Sequence, residues 1–306
     1  MKRRNFLKSV AVSTLAAPAV LKDITSADAG SGTAEAGLEI TWLGGATMVL
    51  SFGDFTLLTD PCFGEGKRAF KMGNPNEMFD LSKGPNIKHH RRLTPFPGLQ
   101  LNEVDQVILS HLHEDHFDQK AERMINKDLP ILAPDHDLDA LVSKGFSNLT
   151  GLRWGQEQVL SKGEATVTIR TIRADHSENP EIATILGEGN GYWFSFEQGD
   201  WQKSLYWTGD TFPTKSVLES LGSLGSPDIF IPHLGGVGTS GALGQISMGA
   251  SHVTRFVDIL NPGKILPVHH STYELYVEPI HHLAESLRDR IHHLDLVSEG
   301  TSLRYI

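Results

Sequence analysis

Residues 110–116 read Ser-His-Leu-His-Glu-Asp-His, between the apolar run of residues 106–109 and a helical pattern over residues 117–126. The apolar run predicts a buried strand, so the quoted stretch lies at a strand-to-helix junction. Side chains two positions apart on an extended segment point the same way, which allows His111 and His113 to share one cation. The stretch therefore predicts metal ligands at the end of a strand.

Asp115 and His116 extend this stretch toward a second site. They lie on the turn into the predicted helix, from which they can reach an ion beside the one between His111 and His113. Cys62 is the only cysteine in 306 residues, so an intramolecular disulfide and a cysteine-built zinc site are excluded. Any metal must therefore be held by carboxylates and by histidine, of which the chain has 15.

The composition is that of an ordinary soluble globular protein. Hydrophobic residues make up 39% and charged residues 21% of the chain, which excludes disordered, collagen-like and coiled-coil classes. Lys and Arg number 27 against 37 Asp and Glu, and the net charge of −10 disfavours a nucleic-acid partner. No apolar run is long enough to predict a transmembrane helix. The sequence makes no prediction about the oligomeric state.

Residues 1–29 have the organisation of an export signal. Residues 2–8 read Lys-Arg-Arg-Asn-Phe-Leu-Lys, a mildly apolar stretch covers residues 10–20, and Ala-Asp-Ala follows at residues 27–29. This order predicts a removable signal, and the paired arginines resemble a twin-arginine signal, which carries folded proteins. An uncleaved basic tail is the alternative. We expect a periplasmic or secreted protein, with residues 30–37 as a short linker.

The remaining chain, residues 38–306, shows two rounds of short strands followed by helical patterns. No low-complexity linker divides it, so we expect one α/β domain in which helices cover two sheets on the outside. Between residues 61 and 101 the chain is rich in Gly and Pro and longer than an ordinary connection. This segment is either functional or loosely ordered.

The stretch at residues 110–116 resembles the metal-binding motif of the metallo-β-lactamase superfamily, whose members are dinuclear hydrolases with an αββα four-layer sandwich. The resemblance extends over about residues 38–306. Other strand ends carry segments similar to the remaining family motifs, namely Thr59-Asp60-Pro61, Ala174-Asp175-His176-Ser177, Thr208-Gly209-Asp210-Thr211 and Pro267-Val268-His269-His270. Each segment alone is a weak signal, but their order and their placement after strands make the set specific.

The resemblance implies a site with two divalent ions, of which Zn²⁺ is expected for imidazole and carboxylate ligands and Mn²⁺ or Fe are alternatives. The implied ligands are His111, His113 and His176 for one ion and Asp115, His116 and His269 for the other, with Asp210 shared. Asp60 would orient the site without ligating, and a shift by one residue would exchange His269 for His270. A metal-bridging hydroxide is the implied nucleophile, with Asp115 and Asp210 as catalytic groups.

The long segment before the histidine motif is most similar to the branch of ascorbate-6-phosphate lactonase-like and N-acyl-phosphatidylethanolamine phospholipase D-like proteins. Residues 92–99, Arg-Leu-Thr-Pro-Phe-Pro-Gly-Leu, are similar to the run upstream of the phospholipase-like motif. The branch implies an exported hydrolase acting on an ester, lactone or phosphodiester bond of a small-molecule or lipid-like substrate. A non-catalytic metal-binding protein on the same scaffold is the alternative. A nuclease of this fold is disfavoured by the acidic charge and the export signal.

Two further features are weaker candidates. His233 follows the predicted strand of residues 228–232, and we expect it to contact substrate or to donate a proton to the leaving group; a loop histidine with only structural contacts is the alternative. Residues 88–92 read Lys-His-His-Arg-Arg and could bind an anionic group of the substrate. A solvated basic patch is the preferred interpretation of Lys88–Arg92.

Overall fold

Burial alternates along the start of the first strand, residues 38–41. Leu38 and Ile40 are fully buried whereas Glu39 between them is exposed, which is the period of a strand with one face in the core. The computed structural model describes residues 36–306, and these residues fall within one compact unit. The predicted export signal, residues 1–29, and residues 30–35 of the predicted linker lie outside the described part of the chain.

Strands and short helices follow one another along the described residues. The strands are β1 (Leu38–Gly44), β2 (Thr47–Phe52), β3 (Phe55–Thr59), β4 (Phe70–Gly73), β5 (Ile87–His90), β6 (Gln106–Ile108), β7 (Ile131–Pro134), β8 (Leu149–Leu152), β9 (Glu157–Lys162), β10 (Ala165–Ala174), β11 (Gly189–Gln198), β12 (Trp201–Trp207), β13 (Ile229–Ile231), β14 (Lys264–Ile265) and β15 (Ser302–Tyr305). The α-helices are α1 (Gln119–Met124), α2 (Leu138–Ser143), α3 (Pro180–Leu186), α4 (Lys215–Leu221), α5 (Ala250–Leu260) and α6 (His281–Ser286). Short 3₁₀ turns occur at Gly66–Arg68, Leu101–Glu103, Asp135–Asp137 and Arg288–His293.

The strands form two large sheets and one hairpin. The first sheet has the order β15-β1-β2-β3-β6-β7-β8, and the second has the order β14-β13-β12-β11-β10-β9. The hairpin of β4 and β5 lies within the Gly- and Pro-rich segment of residues 61–101. That segment is therefore ordered by backbone pairing between Phe70–Gly73 and Ile87–His90.

Four layers result from the packing of apolar faces. Trp42 and Leu50 of the first sheet share one core with Phe194 and Trp207 of the second. Helix α5 packs on the outer face of the second sheet, and helices α1 and α2 pack on the outer face of the first. This arrangement confirms the predicted αββα sandwich. Among the described residues, no helix is both long and apolar enough to cross a membrane.

Strand direction brings chemically active segments together. Strands β3 and β6 are parallel, and so are β12, β13 and β14. Strand β10 runs in the same direction as β12, because each of them pairs antiparallel with β11. The carboxyl ends of parallel strands lie at the same edge of a sheet, so the loops that follow them can share one site.

Candidate metal centre

The seven predicted ligands meet in one place. Four of them follow β6 in residues 110–116, and single residues come from the loops after β10, β12 and β14. They are His111, His113, Asp115, His116, His176, Asp210 and His269. Six of them are nearly or fully buried, and His113 is half-buried. The structure thus brings Asp115 and His269, which are 154 positions apart in the sequence, to within 3.4 Å of each other.

His111, His113 and His176 form the first group. Nδ1 of His113 lies 2.9 Å from Nε2 of His111 and 3.2 Å from Nε2 of His176. His176 donates its Nδ1 hydrogen to the carbonyl of Ile246 at 2.8 Å, so its Nε2 carries only a lone pair when the ring is neutral. The hydroxyl of Ser110 donates its hydrogen to Asp60, so it accepts the Nδ1 hydrogen of His111 at 2.9 Å. Nε2 of His111 therefore also carries only a lone pair when the ring is neutral. The nitrogens of His111 and His176 that face His113 have no hydrogen to donate. Three ring nitrogens that converge in this way fit a shared cation.

The second group contains His116, His269 and Asp115. Nε2 of His116 and Nε2 of His269 are buried and have no hydrogen-bond partner. Nε2 of His269 lies 3.4 Å from Oδ2 of Asp115, which is too long for a good hydrogen bond. Two ligands about 2.1 Å from one tetrahedral ion lie about 3.4 Å apart, so this spacing fits a cation held between them.

Asp210 lies between the two groups. Its Oδ1 is 3.4 Å from Nε2 of His116 and 3.8 Å from Nε2 of His269, whereas its Oδ2 is 3.6 Å from Nε2 of His176. Each carboxylate oxygen thus faces a different group. Gly209 makes the turn that presents Asp210: its φ is 58°, and a Cβ there would lie only 2.6 Å from the carbonyl oxygen of Asn190.

A buried hydrogen-bond network orients the ring of His116. Oδ2 of Asp60 accepts from Nδ1 of His116 at 2.7 Å and from the hydroxyl of Ser110 at 2.6 Å. Oδ1 of Asp60 accepts from the backbone N–H of Ser110 at 2.7 Å. The network fixes the tautomer of His116 so that its Nε2 faces Asp210, as expected for a histidine that binds a metal. The orienting role that the resemblance implies for Asp60 agrees with these contacts, while sequence reasoning assigned no role to Ser110.

The backbone at the site is strained at two points. Asp60 has a backbone φ of 33° and His269 has one of 60°. Residues other than glycine seldom adopt such positive values. Nδ1 of His269 donates to the carbonyl of Leu234 at 2.7 Å, and the backbone N–H of His269 donates to Gly45 at 2.8 Å. Strain of this kind persists where the surroundings over-determine a conformation, and it is common at functional sites.

Electrostatics favour neutral rings on His111 and His113 and a positive charge beside the carboxylates. Burial lowers the pKa of His111 well below its ordinary value and that of His113 to about 4, so both rings are neutral at pH 7. Burial alone would raise the pKa of Asp210, but the charges of His269 and His116 hold it well below its usual range. Burial opposes charge on His116 as well, yet the carboxylates around it raise its pKa well above 6.5. A positive charge is therefore favoured at this point, as a cation would supply.

His233 lies beside Asp210, in a group with His116 and His269. The ring is fully buried and does not line the cavity that opens onto the cluster. Its Nε2 accepts a hydrogen bond from Nε1 of Trp207, which can only donate, so Nδ1 carries the hydrogen and donates to Oδ1 of Asp210 at 2.9 Å. His233 is therefore a positioning residue for Asp210. Sequence reasoning missed the role of Trp207, because an aromatic residue at the end of a strand has the pattern of an ordinary core residue.

The structure also places the remaining candidates. His270 stacks on Trp42 with ring centroids 4.7 Å apart and lies outside the cluster, so His269 is the histidine of this pair that faces the other ligands. None of the residues Lys88–Arg92 lines the cavity at the cluster. Arg92 is buried and pairs with Glu299, and Lys88 pairs with Glu77.

The family follows from comparison with known proteins. The family model of the beta-lactamase superfamily domain matches residues 39–269 of this chain. The chain belongs to the metallo-β-lactamase superfamily. Its predicted membership is thereby confirmed, and together with the His/Asp cluster it supports a metal-dependent hydrolase.

Individual relatives are distant. A metal-dependent hydrolase of Salinibacter ruber is 26% identical over 238 residues, which are 77% of this chain and 86% of the relative. N-acyl-phosphatidylethanolamine-hydrolyzing phospholipase D 1 of Caenorhabditis elegans is 25% identical over 183 residues, which are 54% of this chain and 48% of that protein. Among solved structures, an isothiocyanate hydrolase from Delia radicum gut bacteria superposes with a TM-score of 0.69 at 23% identity, covering 87% of this chain and 98% of the other. This last similarity shows the fold.

Proposed function

We propose that the chain is a dinuclear metal-dependent hydrolase that cleaves an ester, lactone or phosphodiester bond of a small-molecule or lipid-like substrate. The placement of Asp210 supports this most strongly. Its Oδ1 faces Nε2 of His116, and its Oδ2 faces Nε2 of His176, so the two oxygens face two separate groups of histidines. One ion would be held by His111, His113 and His176. The other would be held by Asp115, His116 and His269, with Asp210 contributing to both.

The chemistry expected at such a site is hydrolysis. Divalent cations, when bound, acidify coordinated water and polarise the oxygen of the bond to be cleaved. Asp115 and Asp210 both line the cavity; Asp210 would use both oxygens to hold the ions, and the second oxygen of Asp115 can accept a proton from the attacking water. His116 and His176 are held by Asp60 and by the carbonyl of Ile246, which keeps their Nε2 atoms directed at the centre. The names of the relatives from Salinibacter ruber and Caenorhabditis elegans, both of which describe hydrolases, support the same reaction type.

Metal analysis and a substrate panel test this proposal. We expect purified protein to contain about two divalent ions per chain, and imidazole and carboxylate ligands favour zinc over manganese or iron. Asp210→Asn should lower metal content and abolish hydrolysis of every responsive member in a panel of carboxylic esters, lactones and phosphodiesters. His281→Ala is the matched control, because His281 is exposed and lies outside the cluster.

Two outcomes would count against the proposal. Metal-replete protein that is inert toward the whole panel would favour the alternative of a non-catalytic metal-binding protein. A single ion per chain that persists in Asp210→Asn would contradict the dinuclear arrangement. Hydrolysis of nucleic acids is not expected, since the net charge is −10.

Export is a separate part of the proposal and is supported by the sequence of residues 1–29. We expect the protein in the periplasm or the medium, shortened by cleavage after Ala29. Replacing Arg3 and Arg4 together by lysine should retain it in the cytoplasm if the signal is of the twin-arginine type. Lys8→Arg is the control. Equal export of the double variant would rule out the twin-arginine route, and an unshortened exported chain would indicate a basic tail.

A further inference from the structure

A cavity of about 210 Å³ opens onto the cluster, and its walls are apolar. His113, Asp115, His176, Asp210 and His269 form its floor. The wall residues come from residues 72–85 of the hairpin segment, from α3, from the Gly-rich residues 235–249 after β13 and from the loop after β14; they include Met72, Phe79, Leu186, Leu243, Ile246 and Leu275. For comparison, a cavity of about 150 Å³ lined by such side chains holds a benzene molecule.

Within the described residues 36–306, the cavity offers no lysine or arginine side chain to a negatively charged group. The charged groups of these residues that line it, apart from the histidines, are the carboxyl groups of Glu114, Asp115 and Asp210. Two lysines of the hairpin segment pair with carboxylates outside the cavity lining: Lys88 pairs with Glu77, and Lys83 lies 3.5 Å from Asp80.

The mouth of the cavity is apolar as well. Leu81 and Ile185 line the cavity and are nevertheless 48% and 59% exposed. Large apolar side chains exposed together at the entrance of a pocket mark a binding surface for an apolar group.

We propose that the substrate carries, beside the bond to be cleaved, an uncharged apolar group about the size of a benzene ring or a short alkyl chain, which fills this cavity. The inference rests on the proposed hydrolase function and narrows its substrate class. An anionic group against the apolar walls, away from the ions that would be held at the floor, would lose its hydration and find no Lys or Arg donor among residues 36–306, whereas each methylene group buried there adds about fourfold to kcat/KM. Substrates whose group away from the scissile bond is uncharged and apolar are therefore favoured.

The test compares two esters that differ in one end group. Butyl pentanoate ends in an ethyl group where monobutyl succinate ends in a carboxylate. With the metal-loaded wild-type enzyme, we expect kcat/KM for butyl pentanoate to exceed that for monobutyl succinate by about tenfold or more. Calorimetric binding of the slowly hydrolysed amides, pentanamide and succinamate, should show the same order, with a negative heat-capacity change for pentanamide.

Ile185→Lys provides the variant, because a lysine at this exposed position on α3 places a cation at the mouth without disturbing the core. It should lower the ratio of kcat/KM for butyl pentanoate to that for monobutyl succinate by about fivefold. The ratio of the affinities for pentanamide and succinamate should fall by the same factor. Ile259→Lys on α5 is the matched control, since Ile259 is 58% exposed and does not line the cavity. We expect it to leave the preference unchanged.

The results separate failure of this inference from failure of the proposed function. If monobutyl succinate is cleaved as well as butyl pentanoate or better, the enzyme is a hydrolase and the inferred substrate class is wrong. Equal response of the preference to Ile185→Lys and Ile259→Lys would overturn the assignment of this cavity as the site that selects the substrate. If the metal-loaded protein cleaves no ester, lactone or phosphodiester, the proposed function itself fails.

Discussion

Replacing His233 by alanine should weaken metal binding rather than remove a proton donor. The substitution deletes the hydrogen bond from Nδ1 to Oδ1 of Asp210 and leaves Nε1 of Trp207 buried without a partner. A hydrogen bond to a charged group contributes about 1.5–3 kcal/mol, which corresponds to about 10–150-fold in an equilibrium constant. Loss of a partner that orients a metal ligand typically lowers metal affinity about 10–100-fold, in agreement with this value. At saturating metal, kcat should fall less than about tenfold.

His233→Asn is the informative partner variant. The side-chain amide nitrogen of asparagine occupies nearly the position of histidine Nδ1 and can donate to Asp210, so most of the metal affinity should return. Trp207→Phe tests the other end of the chain of contacts, because it removes the donor to Nε2 of His233 and frees that ring to change tautomer. A smaller loss of affinity than in His233→Ala is expected.

Chelator competition gives the metal affinity, and rates at saturating metal give kcat. A loss of kcat by about 100-fold or more at saturating metal, with unchanged affinity, would refute the positioning role, because that is the signature of a missing general acid. Loss of one bound ion even in excess metal, shared by His233→Asn, would instead make His233 a ligand.

Three further predictions follow from the same geometry. Arg92→Met should lower the free energy of unfolding by about 3–5 kcal/mol, because it leaves the carboxylate of Glu299 buried without its cation. Urea unfolding should show a lower midpoint while the metal content stays unchanged, and an unchanged midpoint would contradict this prediction. Ser110→Ala should reduce metal affinity about 10-fold or more, measured by chelator competition, since its hydroxyl joins Asp60 to His111. Each divalent ion, at a free concentration about 100 times its dissociation constant, should add about 2.7 kcal/mol to the free energy of unfolding. Removing the ions with a chelator should therefore lower the melting temperature, and an unchanged melting temperature would contradict binding to the folded cluster.

The sequence predicted most of the elements that depend on local pattern. Thr47–Phe52 and Phe55–Thr59 form the predicted strands, because short apolar runs separated by Gly-containing turns leave few alternatives. Strand Ser302–Tyr305 was missed: it is short and partly exposed, and it exists because β1 supplies an edge for it to pair with. The hairpin of Phe70–Gly73 and Ile87–His90 was missed for the same reason, since pairing across a long loop has no local signal.

What the sequence determined by itself was the chemistry: the His and Asp side chains of residues 110–116, the exclusion of cysteine, and the strand ends that carry the other candidate segments. These depend on residue type and on a period of two or 3.6 positions, both of which are visible in a single chain, whereas the set of seven ligands was implied by the resemblance to the superfamily. Only the tertiary structure decided that Asp210 faces two groups at once, that His233 points away from the cavity toward Trp207, and that apolar walls surround the cluster. Those facts depend on contacts between segments far apart in the chain, and strand order and sheet packing create such contacts without a local trace in the sequence.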